Sequence, residues 1–137
     1  MNRSAAREET FKLLYSLEIQ KENIEEQTEI YLENEEISDE NTKIYMKDIV
    51  DGIEKNITTI EEKISENLKK DWKIERISKI NLVLLKLAIY EILYTETPFK
   101  VVINEVVELA KKYGDDTSPN FVNGILASIV KESENLC

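Results

Sequence analysis

Residues 98–126, PFKVVINEVVELAKKYGDDTSPNFVNGIL, decide the fold. Val102, Val106, Leu109, Ala110 and Tyr113 recur at helical spacing and form one apolar stripe along a helix. Gly114 follows where a left-handed C-terminal cap is expected, and Asp115 and Asp116 continue the turn. Ser118 reads as an N-cap with Pro119 at the first helical position, where a missing N–H costs nothing. The next helix opens with Phe121, Val122, Asn123 and Gly124 and runs into Ile125, Leu126, Ile129 and Val130. Two amphipathic helices joined by a tight turn set the pattern for the whole chain.

Upstream, Ile74–Tyr94 carries apolar residues around nearly its full circumference: Ile80, Leu82, Val83, Leu84, Leu85, Leu87, Ala88, Ile89, Ile92 and Leu93. A helix apolar all round is one surrounded by others, so this segment is expected as the central strut, with Pro98 marking the break after it. Before it, Met46, Val50, Ile53, Ile57, Ile60, Ile64 and Leu68 step by threes and fours, which predicts one long helix capped by Ser38. Ser4–Ile19 is expected as the first helix, with Ala6, Thr10, Leu13, Leu14 and Leu17 inside, and Ile24–Asn34 as a short acidic second one. No strand-like alternation persists. The expected fold is an all-α, compact single-domain bundle of about six to seven helices over residues 1–137.

The chain has 137 residues and a net charge of −10, with few glycines and prolines and no linker-like tract. Nine acidic residues lie between Glu22 and Glu40 beside Lys21 alone, so the remainder is close to neutral. That distribution argues against charge-driven coating of nucleic acid and leaves room for a small basic site elsewhere. The run from Ile80 to Leu93 is interrupted by Asn81, Lys86 and Glu91 and is too short to span a bilayer. No signal sequence opens the chain, and the expected location is cytoplasmic.

Histidine is absent, which removes the usual zinc sites and histidine-based acid–base or triad chemistry. There is no phosphate loop, CxxC pair or nucleophile elbow. Asp115 and Asp116 lack calcium-loop spacing and read as turn residues. The lone cysteine, Cys137, reads as an inert terminal thiol. Catalytic residues, metal and cofactor are all expected to be absent. Asn104, Glu105 and Asn123 read as hydrogen-bonded structural residues within apolar helices, and Gly124 as a site of close helix packing.

VINEVVELAKKYG followed by SPNFVNGIL resembles the C-terminal half of NusB-type transcription antitermination factors. AAREETFKLLYSL at residues 5–17 is similar to that family's opening helix, and WKIERISKINLVLLKLAIYE at residues 72–91 to its central segment. Residues 21–70 match only in helical pattern and length. The resemblance implies a compact all-helical fold and a non-enzymatic role in transcription. It also implies binding to a single-stranded boxA-like RNA element in nascent ribosomal RNA, jointly with a small-subunit ribosomal protein, NusE, and an indirect tie to the RNA polymerase elongation complex.

On that resemblance Arg3 and Arg7, four apart and expected to share a face, match arginines of an RNA-contacting arm. Ser4, Ala5, Glu8 and Glu9 make the arm less basic than in relatives. Tyr15 and Phe121 are expected beside the RNA surface, with Asn120 next to Phe121 where relatives often carry lysine. Arg76 and Lys79 extend the patch, and Asn81 is the expected partner contact, where relatives usually have an acid. Two other readings stand beside this one. One is a helical protein-interaction module with little RNA binding of its own. The other is an RNA-modifying enzyme, which needs a cofactor domain for which the chain has no room. Homodimerisation is left open.

Overall fold

The computed structural model describes residues 1–135. Among them, seven α-helices and one short 3-10 turn run in the order α1 (Arg3–Ile19), α2 (Ile24–Asn34), α3 (Glu40–Lys55), α4 (Ile57–Glu66), the turn Ile74–Arg76, α5 (Lys79–Tyr94), α6 (Phe99–Tyr113) and α7 (Ser118–Asn135). Cys137 lies outside the described residues.

Helix α5 is the strut that its composition predicts. Val83 through Ile89 are all buried, and α1, α3, α4, α6 and α7 pack around it. It starts at Lys79 rather than Ile74, because Ser78 caps it by accepting from the Asn81 N–H at 3.2 Å. The inner residues expected on α1, Ala6, Thr10, Leu13, Leu14 and Leu17, are all buried. Each large apolar side chain so covered contributes roughly 1.5–3 kcal/mol. None of the described helices is long and apolar enough to cross a membrane.

The long helix expected after Ser38 is two. Asn56 adopts φ −114° and ψ 19°, and its side-chain amide donates to the Gly52 carbonyl at 2.8 Å, beside the Asn56 N–H that donates to the same oxygen at 3.0 Å. The apolar seam survives the break: Met46, Val50, Ile53, Ile60 and Ile64 are buried. Its cap is Asp39, not Ser38, with the carboxylate accepting from the Thr42 N–H and hydroxyl. Gly52 has a packing reason, since a Cβ there would stand 2.1 Å from the Tyr90 ring.

The α6–α7 turn differs from the expectation in detail. Gly114 is extended, with φ −92° and ψ −170°, so no left-handed cap forms. Glycine is required by space instead: a Cβ would lie 2.3 Å from the Ser118 hydroxyl oxygen and 2.8 Å from the Ala110 carbonyl oxygen. The capping oxygen belongs to Asp115, whose Oδ1 accepts from the N–H groups of Thr117 and Ser118 at 2.8 and 3.1 Å. Ser118 answers by accepting from the Asp115 N–H at 3.1 Å. These bonds, led by the Thr117 hydroxyl, hold the Asp115 carboxyl below its usual range. Asn104, Asn123 and Gly124, expected inside, are exposed, and nothing lies within 4 Å of a Cβ built on Gly124.

Candidate nucleic-acid interface

Arg3 and Arg7 do not share a solvent face. Arg7 is 1% exposed, because it lies in phase with Phe11 and Leu14 on the inner side of α1. Its Nε and Nη2 donate to the two carboxylate oxygens of Glu91 at 2.6 and 3.0 Å, and its Nη1 donates to Glu105 at 3.2 Å. Burial opposes its charge, yet the Glu91 hydrogen bond and charge outweigh that and raise the guanidinium pKa above its ordinary value. The Tyr45 hydroxyl completes the cluster by donating to Glu91 at 3.2 Å. Burial first, and then the Glu91 charge, push that phenol well up, so it remains a donor. Glu105 is thus structural, as expected, though 30% exposed, and it also accepts from the Ser4 hydroxyl. The correction is physical: all three Arg7 guanidinium nitrogens donate to two carboxylates within the fold, and at 1% exposure no face of it is offered to a phosphate.

Arg3 is exposed, and its guanidinium carbon sits 4.2 Å from the centre of the Tyr45 ring. This cation–π contact orients the charge without neutralising it. Tyr15 is half-buried beside Phe11, ring centres 6.4 Å apart, and Phe11 in turn packs on Tyr113 at 5.1 Å. Glu8, which thins the basic arm in sequence, is occupied. It accepts from Lys112 at 2.6 Å and from the Tyr113 hydroxyl, and these bonds hold its pKa below the ordinary value.

A second group gathers where the segment before α5 meets the start of α7. Phe121 is half-buried, and its ring centre lies 6.3 Å from that of Trp72, tilted by 33°. Asn120, Arg76 and Lys79 are exposed around this pair in sequence. Trp72 enters the sequence reading only as the first residue of the 72–91 segment and not as a site residue. The signal that marks it is a large ring set between Lys70 and Lys73. Tyr45 was likewise passed over, and nothing in its own neighbourhood singles it out.

Asn81 is buried at 8% exposure, and its Oδ1 has no hydrogen-bond partner among the described residues. An unpaired buried carbonyl oxygen is a group in want of a donor.

A model of the NusB family matches residues 4–131. The chain belongs to the NusB family. It is 47% identical over 133 residues to the transcription antitermination protein NusB of Clostridium novyi, which spans 96% of this chain and 99% of that one. Among solved structures, NusB of T. maritima superimposes with a TM-score of 0.88 at 36% identity, covering 96% of this chain and 92% of that one. A structure of the antitermination factors NusB and NusE in complex with dsRNA gives 0.85 at 30% identity, over 95% and 96% of the two chains. The NusB fold and the expected all-helical architecture agree, and membership places the chain in a non-enzymatic family.

Proposed function

We propose that the chain is a transcription antitermination factor. It binds a short boxA-like RNA element in nascent ribosomal RNA together with a NusE-type ribosomal protein, and so helps RNA polymerase read through terminators. The family match over residues 4–131 carries this reading. It is supported by the structural neighbour in which NusB and NusE are in complex with dsRNA. No bond is made or broken; the work is binding and placement, and it belongs in the cytoplasm, where transcription occurs.

The residues proposed for RNA are Arg3, Tyr15, Arg76, Lys79, Asn120 and Phe121. Half-buried rings suit stacking by unpaired bases, and exposed cations suit phosphates. Arg7 is assigned to the fold instead, where its salt bridge to Glu91 anchors the arm that carries Arg3. With so few cations, affinity rests on two weak sites joined by effective concentration, the second belonging to the partner. Asn81 is proposed for that partner contact, because its unpaired oxygen gains a donor there.

Anisotropy of a labelled single-stranded boxA-like RNA tests this, with the chain alone and with the NusE-type partner. Partner-enhanced binding that weakens in Arg3→Ala and Phe121→Ala is the expected result, with a matched duplex binding less well. Absence of binding in every arm, by a folded protein, overturns it and leaves the protein-interaction module, a reading favoured by the withdrawal of Arg7 from the surface. Sedimentation of the chain alone reads out a homodimer in the same buffer.

A further inference from the structure

Residues 69–79 form a basic segment in an acidic protein. Lys69, Lys70, Lys73, Arg76 and Lys79 stand against Asp71 and Glu75, and all seven are exposed. Among the described residues none of the five cations is held in an ion pair. The cations on the flanking helices are held: Lys63 pairs with Glu132 and Lys86 with Glu18. Their ammonium and guanidinium groups therefore remain free for an anion from outside.

Trp72 stands in the middle of this segment. The chain turns there through Asp71, at φ 77°, with the Trp72 N–H donating to the Lys69 carbonyl at 2.9 Å. The turn carries the indole off the line of α4 and onto Phe121 of α7. Trp72 is 53% exposed, so it meets Phe121 and still presents much of its surface to water. An open indole among unpaired cations matches the chemistry of an unpaired nucleotide: a ring to stack on and charges for the flanking phosphates.

We propose that Trp72 is an additional base-stacking residue, which with Lys69, Lys70 and Lys73 extends the RNA track past Phe121 and takes a single-stranded nucleotide flanking the element bound there. The proposal rests on the RNA-binding function given above and adds a subsite to it. Its ligand is a single-stranded RNA segment, since a base held in a duplex has no free face for the ring.

Trp72 is the chain's single tryptophan, so its emission reports the subsite directly. The experiment uses the full chain and two single-stranded RNAs, a boxA-like core and the same core lengthened by a few unpaired nucleotides on each side. Binding is read by anisotropy and by Trp72 fluorescence. The longer RNA is expected to bind more tightly and to quench Trp72, and the core alone to quench it little. Trp72→Leu, which keeps an apolar cover over Phe121, should weaken the longer RNA by roughly five- to a hundredfold and the core little. Trp72→Phe should restore most of the loss. Lys70→Gln/Lys73→Gln should flatten the salt dependence for the longer RNA alone, by about 0.7 in logarithmic slope per lost phosphate contact. If both RNAs bind equally, Trp72 emission is unchanged and Trp72→Leu is neutral, the subsite is overturned while the antitermination reading stands. If neither RNA binds even with the NusE-type partner added, with circular dichroism showing a folded helical protein, both fall together.

Discussion

Arg7 and Glu91 are each about 1% exposed in their side chains, and charges in such a place persist only opposite one another. Arg7→Met leaves Glu91 with the Tyr45 hydroxyl as its remaining side-chain donor, so stability is expected to fall by about 3–5 kcal/mol in urea titration. Adding Glu91→Gln should recover much of that loss; a single variant within 1 kcal/mol of the parent would show that water reaches the cluster. The pairing was legible in the sequence and was missed. Arg7 repeats the helical phase of Phe11 and Leu14, and Glu91 lies on a helix that is apolar all round, so two opposite charges point inward. The glycines were less legible, because a sequence shows that glycine was chosen and not which constraint chose it. At Gly114 the constraint is the Ser118 side chain and at Gly124 there is none, so alanine should act with opposite sign. Gly114→Ala is expected to cost about 1–3 kcal/mol by overpacking, and Gly124→Ala to gain up to about 1 kcal/mol in the same titration.

Helices α1 and α5 are joined by two ion pairs, the buried Arg7–Glu91 and the part-buried Glu18–Lys86 at 2.7 Å, whose order reverses along the two helices. Hydrophobic spacing predicted that these helices pack, and the charges fix how one sits on the other. Caps and breaks were harder to place from the sequence. Ser38 and Asp39 are both good N-cap residues, and only the path of the chain decides that the Asp39 carboxylate meets the Thr42 N–H. Asp39→Ala should therefore lower the urea midpoint while Ser38→Ala leaves it in place, and the reverse outcome would move the start of α3 by one residue. The break at Asn56 had a local signal as well, since asparagine competes for backbone hydrogen bonds inside a helix. A continuous apolar seam concealed it, because the seam runs on through the kink with its register kept.

At the scale of the whole molecule, charge acts on stability and on binding in different senses. Glu18 is held below the ordinary value of 4.5 by Lys86 and Lys21 against the opposing effect of burial, and Glu8 by Lys112 and Tyr113. A carboxylate whose folded pKa is lowered stabilises fully above its unfolded value. Stability should thus hold from neutral pH down to about 4.5 and be lost below it, as the pH falls through the lowered values. Lys86→Met should shrink that acid-dependent loss. Salt separates the two effects at neutral pH. The net charge of −10, nine acids of which crowd between Glu22 and Glu40, makes the fold repel itself, and added salt screens that repulsion. The RNA binding proposed above draws instead on the few exposed cations, which would release counterions from phosphates. Two or three such contacts, from residues such as Arg3, Arg76 and Lys79, give a logarithmic slope of about −1.4 to −2 for a single strand. Between about 50 and 200 mM salt, RNA affinity should then fall roughly sevenfold to twentyfold while the urea midpoint rises. The two responses are measured on one protein in one buffer series. If the urea midpoint fell together with RNA affinity, the surface ion pairs would outweigh the repulsion of the acidic residues. A slope near zero with binding intact would mean that the rings rather than the cations hold the RNA.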